Sequence, residues 1–218
     1  MGCRVHCALN AGLQKGKRNE KDNEKTDTGR DAPCCRIVSR CLFLRREGGG
    51  VMGDRLKVYI ETSFVSYLTG GPTSDAKVAS DQAFTRKWWE TERDKCDCFV
   101  SEFTLSESAN GNPDMVALRK VVVKDIPSVS PNDQAVATLA EKLLAGHAVP
   151  EKEYTDAIHI AAAAVSGMDV LLTWNCRHMA NPHTLPKTRD IITAAGYVCP
   201  AIMTPKTFIE NQTLEAEL

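Results

Sequence analysis

The apolar positions of the chain fall into short runs from Leu56 onward, separated by more polar segments with helical spacing. The runs rich in β-branched, aromatic and other apolar residues predict strands at residues 56–60, 98–101, 126–129, 169–174 and 197–203. The segments between them predict helices at residues 75–93, 104–109, 114–123, 130–144, 151–165 and 188–195. Strands that alternate with helices favour a three-layer α/β/α fold, in which helices cover both faces of a mostly parallel central sheet.

The overall composition is that of an ordinary globular protein. The 218 residues carry a formal net charge of -1, and 43% of them are hydrophobic. No run reaches the length of about eighteen apolar residues that a membrane-spanning helix requires, so a soluble protein is expected. Because the net charge is close to zero, nucleic acid binding would depend on a local basic patch or on a bound metal.

The first 53 residues differ from the rest. They contain 11 Lys or Arg and 6 Asp or Glu, whereas residues 54–218 contain 16 and 22. They also contain five of the nine cysteines and a run, residues 14–31, that has no apolar side chain to bury. The acidic residues argue against a transit peptide, and the absence of a Cys-x2-Cys pair argues against a zinc module. We therefore expect residues 1–53 to be a disordered basic extension and residues 54–218 to form the folded domain.

The junction between these parts suggests a different start of translation. Residues 47–49 read Glu-Gly-Gly, which is how a purine-rich ribosome-binding sequence reads when it is translated, and Met52 follows closely. Our hypothesis is that the native chain begins at Met52, and peptides from residues 1–51 of the natural product would refute it. The four remaining cysteines are scattered, which fits the reducing cytoplasm.

Four polar residues are expected at the carboxyl edge of the predicted sheet, where ligands gather in such folds. Glu61 directly follows the first strand, Glu107 lies shortly after the second, Asn175 follows the third long strand, and Asp156 lies early in an apolar helix. Each of the three acids also has a simpler interpretation. Asp156 would be stabilised by the helix dipole, Glu61 would accept hydrogen bonds from its loop, and Glu107 would lie in solvent beside Glu102.

A convergent acidic cluster would need a cation. Two carboxylates about 4 Å apart repel by roughly 4 kcal/mol at an effective dielectric constant near 20, so the cluster would bind a metal or become protonated. All-oxygen ligands without His or Cys suit Mg²⁺ or Mn²⁺. Such an ion polarises a phosphoryl oxygen and lowers the pKa of bound water, which is the chemistry of phosphodiester hydrolysis.

Four segments resemble, in order and spacing, the acidic motifs of PIN-domain ribonucleases, above all the VapC-type toxins of bacterial toxin–antitoxin pairs. They are VYIETS at 58–63, SEFTLSE at 101–107, DAIHIA at 156–161 and LLTWNCRH at 171–178. The resemblance extends over about residues 57–209. It implies a PIN-like fold and a Mg²⁺- or Mn²⁺-dependent endoribonuclease that cuts single-stranded or loop regions of RNA, is inhibited by a cognate antitoxin and often forms a homodimer.

The resemblance also implies roles for individual residues. Glu61 takes the place of the first acid, which is usually Asp, while Glu107 and Asp156 match the second and third acids. Thr173 matches a hydroxyl residue two positions before the fourth acid, whose own place Asn175 occupies. On this hypothesis Glu61, Glu107 and Asp156 hold one metal ion directly or through water. Thr173 and Asn175 orient the attacking water or the phosphate.

Two other functions remain open. The first is a zinc module of Cys96, Cys98, Cys176 and His178, although its pairs have one intervening residue where structural zinc sites have about two to four. In a parallel sheet, Cys96 and Cys176 would also lie at opposite ends of the strands. The second is a PIN-like domain that binds RNA or a partner protein without cutting, because Asn175 replaces an acid.

Several neighbouring residues have both a structural and a functional interpretation. His159 lies one helical turn after Asp156 and is expected to be a packed or hydrogen-bonded histidine rather than a catalytic one. Arg177 and His178 would contact either phosphate or a neighbouring side chain. Of Trp88 and Trp89, which would be able to stack on bases, at least one ring is expected in the core.

Overall fold

The computed structural model describes residues 55–216 of the chain. The expectations for residues 1–53 and for a start at Met52 therefore lie outside the described residues. Within the described part, no helix is long and apolar enough to cross a membrane.

Five parallel strands form the central sheet in the order β3-β2-β1-β4-β5. The strands are β1 (Leu56–Ile60), β2 (Cys96–Ser101), β3 (Ser128–Val129), β4 (Val170–Leu172) and β5 (Ala201–Met203). The chain passes from β1 to β2 and β3 on one side, and then returns to place β4 on the other side of β1. The strand order thus reverses at the β1/β4 pair, which in open α/β sheets is where a ligand crevice forms.

Helices connect the strands and cover both faces of the sheet, which confirms the predicted α/β/α architecture. They are α1 (Thr62–Thr69), α2 (Ala76–Thr91), α3 (Glu102–Ser108), α4 (Pro113–Val123), α5 (Asp133–Ala145), α6 (Tyr154–Val165), α7 (Leu185–Ala194) and α8 (Pro205–Ala216). Several of them have side-chain N-caps; Asp75, Ser101, Asn112 and Asn132, for example, accept hydrogen bonds from backbone N–H groups of the first turn. The sequence pattern predicted neither α1 nor α8.

The alternation of side chains along the strands divides the core into two layers. Tyr59 and Leu171 belong to the layer that contains α5, α6 and α7. Val58 and Leu172, which point to the other face, pack in the layer of α1, α2 and α8. Helix α6 is buried from Ala157 to Ala164, which explains why its sequence is apolar on all sides.

Trp88 of α2 is a central side chain of the second layer. It is fully buried, and its ring lies edge-on to Phe64 and Phe208 at centroid distances of 5.4 and 5.7 Å. The expectation that one ring of the Trp88–Trp89 pair packs in the core is therefore confirmed.

Replacing Trp88 with alanine is expected to lower the free energy of unfolding by about 3–5 kcal/mol, since the substitution removes a buried ring and leaves a cavity. Chemical denaturation followed by circular dichroism would measure the change. Leu118→Ala is the matched control, because Leu118 is 50% exposed and its truncation is expected to change stability by less than about 0.5 kcal/mol. Equal effects of the two substitutions would contradict this description of the core.

Candidate active site

The backbone ladder of the sheet places two polar side chains at the carboxyl ends of β1 and β4. Glu61 follows β1, and its N–H donates to the carbonyl of Leu172 at 3.2 Å. Thr173 follows β4, and its N–H donates to the carbonyl of Met203 at 3.1 Å. The two side chains meet, because the hydroxyl of Thr173 donates to Oε2 of Glu61 at 2.8 Å.

Glu61 is only 7% exposed and lies among hydroxyl groups. Its Oε2 accepts hydrogen bonds from the hydroxyls of Ser63 and Thr173. Ser63 in turn accepts the N–H of Trp174 at 2.8 Å, and Thr173 accepts the N–H of Asn175 at 2.9 Å. The start of α1 and the loop after β4 thus hold the Glu61 carboxylate in one orientation.

Glu107 reaches the same edge from α3. Its Oε2 accepts hydrogen bonds from Nε2 of His159, at 2.9 Å, and from the hydroxyl of Thr62. The hydrogen bond from His159, helped by the one from Thr62, lowers the pKa of Glu107 although partial burial opposes the shift. Glu107 is therefore a carboxylate at neutral pH and can serve as a ligand for a cation.

His159 connects this carboxylate to the interior of the domain. The side chain is 1% exposed, and its Nδ1 lies 2.8 Å from the hydroxyl of Tyr59, which is 2.6 Å from Oγ of Ser101. Burial raises the pKa of Tyr59 to about 12, so this hydroxyl keeps its proton. We assign Tyr59 as the donor to Nδ1, which leaves the Nε2–H of His159 to donate to Glu107. The expected role of a hydrogen-bonded histidine is confirmed.

Asp156 belongs to a second group of side chains. Its Oδ2 accepts hydrogen bonds from Nδ2 of Asn175 at 2.8 Å and from Nδ1 of His178 at 3.0 Å. The carboxylate of Glu153 lies 3.9 Å from the same nitrogen of His178. Burial raises the pKa of Asp156, although the hydrogen bonds from His178 and Asn175 oppose this. Asp156 therefore forms specific side-chain hydrogen bonds in addition to any interaction with the helix dipole.

The structure therefore brings the predicted residues together in two groups rather than one. Potential ligand atoms of Glu61, Glu107 and His159 lie within 4.8 Å of one another, and those of Glu153, Asp156 and His178 form the other such set. The two groups are linked by hydrogen bonds, since Thr173 contacts Glu61 and Asn175 while Asn175 contacts Asp156.

Sequence reasoning overlooked four contributors, namely Glu153, Ser63, Thr62 and Tyr59. Thr62 and Ser63 directly follow Glu61 in the sequence, and this position could have indicated that their hydroxyls contribute to the site. Glu153 lies just before α6, three residues before Asp156. For Tyr59, the strand sequence did not indicate that its hydroxyl forms hydrogen bonds in the core, as opposed to the ring simply packing there.

The donor set fits a divalent cation. Among the described residues, no Lys or Arg side chain pairs with Glu61, Glu107 or Asp156, whose partners are hydroxyls, an amide and imidazoles. Two neighbouring carboxylates that no Lys or Arg neutralises provide the oxygen ligands that Mg²⁺ and Mn²⁺ prefer in proteins. The imidazole of His159 contacts the site through its hydrogen bond to Glu107.

The cysteines do not join these groups. Cys96 begins β2 and Cys176 follows the end of β4, so the parallel sheet separates them as the sequence indicated. Burial raises the pKa of Cys96 to about 12 and that of Cys98 to about 11, which disfavours the thiolates that zinc binds. Within the part of the chain that the structure describes, neither set of side chains suited to a metal contains a cysteine.

Comparisons with known proteins find similar solved structures but no matching family. No protein-family model and no curated protein matches the chain. The chain is similar to the crystal structure of VapC20 from Mycobacterium tuberculosis, which is described as a toxin that cleaves the sarcin–ricin loop. The identity is 17% and the TM-score 0.40, with 65% of this chain and 96% of the other covered. A likeness at this level does not establish a shared function.

Proposed function

We propose that this protein is a metal-dependent endoribonuclease that hydrolyses RNA phosphodiester bonds. The observation that carries the proposal is the pair Glu61 and Glu107, which the fold holds close together at the crevice edge of the sheet without a Lys or Arg partner among the described residues. Such a pair is suited to hold a hard divalent cation against a polyanionic substrate. The resemblance of the four sequence segments to PIN-domain ribonucleases supports the same class of reaction.

The residues have distinct roles in this proposal. Glu61 and Glu107 hold Mg²⁺ or Mn²⁺, and Asp156 joins them directly or through water. When bound, the ion supplies Lewis acidity to a phosphoryl oxygen and an acidified water. Thr173 donates to Glu61 and accepts from the backbone of Asn175, so it orients the first carboxylate.

Asn175 is a positioning residue for the second group. Its side-chain oxygen accepts the N–H of His178 at 3.1 Å, while its amide nitrogen donates to Asp156. The oxygen and the NH₂ group of the Asn175 amide therefore both form hydrogen bonds, and the NH₂ group faces the Asp156 carboxylate. In this role Asn175 keeps Asp156 directed toward the crevice, whereas an acid at this position would repel it until a cation is bound.

The resemblance to VapC-type toxins extends the proposal to partners. We propose that the substrate is single-stranded or looped RNA and that a cognate antitoxin protein inhibits the enzyme. A homodimer would fit the same family. These partners rest on the sequence resemblance alone.

Metal dependence is the direct test. With a fluorogenic single-stranded RNA, we expect cleavage with Mg²⁺ or Mn²⁺, a rate lower by at least roughly a hundredfold in EDTA, and recovery when the metal is restored in excess. Asp156→Asn is expected to reduce both the cleavage rate and the affinity for Mn²⁺ measured by electron paramagnetic resonance. A rate that is the same in EDTA and in excess metal would reject the proposed chemistry.

A second candidate function is a PIN-like domain that binds RNA or a partner protein without cutting. The observation that favours it is Asn175, which stands at the place of a family acid and donates to Asp156 instead of adding a negative charge. RNA binding without any metal-dependent cleavage would support this alternative. Metal-dependent cleavage that is lost in Asp156→Asn would exclude it.

A further inference from the structure

A cavity of about 290 Å³ adjoins the second acidic group. Ala148, Val149 and Pro150 provide an apolar wall, and His147, Arg177 and His178 provide a wall of nitrogen-bearing side chains. His178 belongs to the cavity and to the candidate active site at once, because its Nδ1 donates to Asp156. A molecule in the cavity would therefore lie directly beside the proposed reaction centre.

Hydrogen bonds that involve the backbone hold both walls of the cavity. The carbonyl of Asn175 accepts the N–H groups of Met179 and Ala180, and Nδ2 of Asn181 donates to the carbonyl of Arg177 at 2.9 Å. On the other wall, the N–H of Ala148 donates to the carbonyl of Leu143 at 2.9 Å, which fixes the chain as it leaves α5. The geometry of the cavity is thus a property of the fold.

Arg177 is the distinctive charged group of this cavity. Its side chain is exposed, and its guanidinium has no hydrogen bond or ion pair with any other described residue. The residues that line the cavity include no carboxylate, and the neighbouring acids, Asp156 and Glu153, contact His178 rather than Arg177. A guanidinium in this state is suited to bind a phosphate group through two parallel hydrogen bonds.

We propose that this cavity binds one nucleotide of the RNA, next to the phosphodiester that is cut. The apolar wall contacts the base or the ribose, and Arg177 binds a flanking phosphate. The volume is near the lower end of the range for small-ligand pockets, about 300–1,000 Å³, which suits a single nucleotide unit rather than a duplex. The inference rests on the proposed function, since it assigns a substrate contact to that site.

The test measures RNA binding separately from cleavage. A fluorescein-labelled single-stranded RNA of about ten nucleotides is titrated with wild-type protein, Arg177→Ala and Arg177→Lys in EDTA, at several salt concentrations. Arg177→Ala is expected to weaken binding about five- to tenfold and to reduce the slope of log K against log salt by about 0.7, because one phosphate contact is lost. Arg177→Lys is expected to retain the slope while losing part of the affinity.

Two further variants separate a specific contact from a general charge effect. Lys124→Ala removes one exposed positive charge at the end of α4, next to residues 125–127 near the amino ends of the strands, and is expected to bind RNA like the wild type. Thr184→Phe fills the cavity with an apolar ring and is expected to weaken binding without changing the salt slope.

The outcomes distinguish this inference from the function on which it rests. An unchanged affinity and salt slope in Arg177→Ala would overturn the nucleotide site, whereas the metal-dependent cleavage of the wild type would still support the nuclease. An equal loss in Lys124→Ala would also overturn it, because the effect would then reflect net charge alone. A wild-type protein that neither binds nor cuts RNA would overturn both proposals.

Discussion

Glu107→Gln is expected to reduce metal-dependent RNA cleavage by at least roughly a hundredfold, because it removes one of the two closely placed charges proposed to hold the cation. The substitution keeps the volume of the side chain and an oxygen that can accept the hydrogen bond of His159. The loss is therefore expected in metal affinity and rate rather than in folding. Glu61→Gln is expected to act in the same direction.

The matched control for this experiment is Glu102→Gln. Glu102 lies on the same helix α3 and is exposed, so the substitution removes an equal charge close by without changing the crevice. The cleavage rate with saturating Mn²⁺ and the affinity for Mn²⁺ would be measured for the wild type, Glu107→Gln, Glu61→Gln and Glu102→Gln. Equal rates for Glu107→Gln and Glu102→Gln would show that the carboxylate pair is not the reaction centre.

The second large effect is expected for His159→Ala. This change opens a cavity in the core and leaves the hydroxyl of Tyr59 and the carboxylate of Glu107 without their shared partner. Together these effects are expected to lower the free energy of unfolding by about 3–5 kcal/mol. Because the imidazole also directs Glu107, Mn²⁺ affinity is expected to fall by roughly 10- to 100-fold.

Two milder variants separate the structural part of this effect from the positioning part. Tyr59→Phe removes only the hydroxyl that orients the imidazole, and His159→Gln places an amide donor near the position of Nε2. We expect His159→Gln to recover part of the Mn²⁺ affinity that His159→Ala loses. If His159→Ala lowers stability but binds Mn²⁺ as tightly as the wild type once folded, His159 has only a packing role.

Local sequence was sufficient for much of the architecture. The run at residues 56–60 predicted β1 at its observed bounds, since five consecutive β-branched, aromatic and long side chains are suited to a strand. The apolar segment after Asp156 predicted a buried helix, and the structure shows α6 over Tyr154–Val165. Alternation of such strands with helices is enough to predict the parallel sheet, because parallel strands require crossover connections.

The two helices that the pattern did not predict show where local signals end. Helix α1 is rich in aromatic and β-branched residues, which have weak helix propensity, and its N-cap residue, Glu61, makes no side-chain capping hydrogen bond. Its formation depends on the burial of Phe64 and Val65 against the sheet. Tertiary packing thus stabilised a helix that the local sequence alone did not specify.

The sequence by itself determined which oxygen-bearing side chains stand near strand ends and which faces of the elements are apolar, because both follow from the period of the local structure. Only the tertiary structure decided how those side chains are grouped. It places Glu107 with His159, 52 residues away along the chain, and Asp156 with His178 rather than with the other two acids. Such contacts depend on strand order and on the packing of each helix against the sheet, and no local spacing encodes either of them.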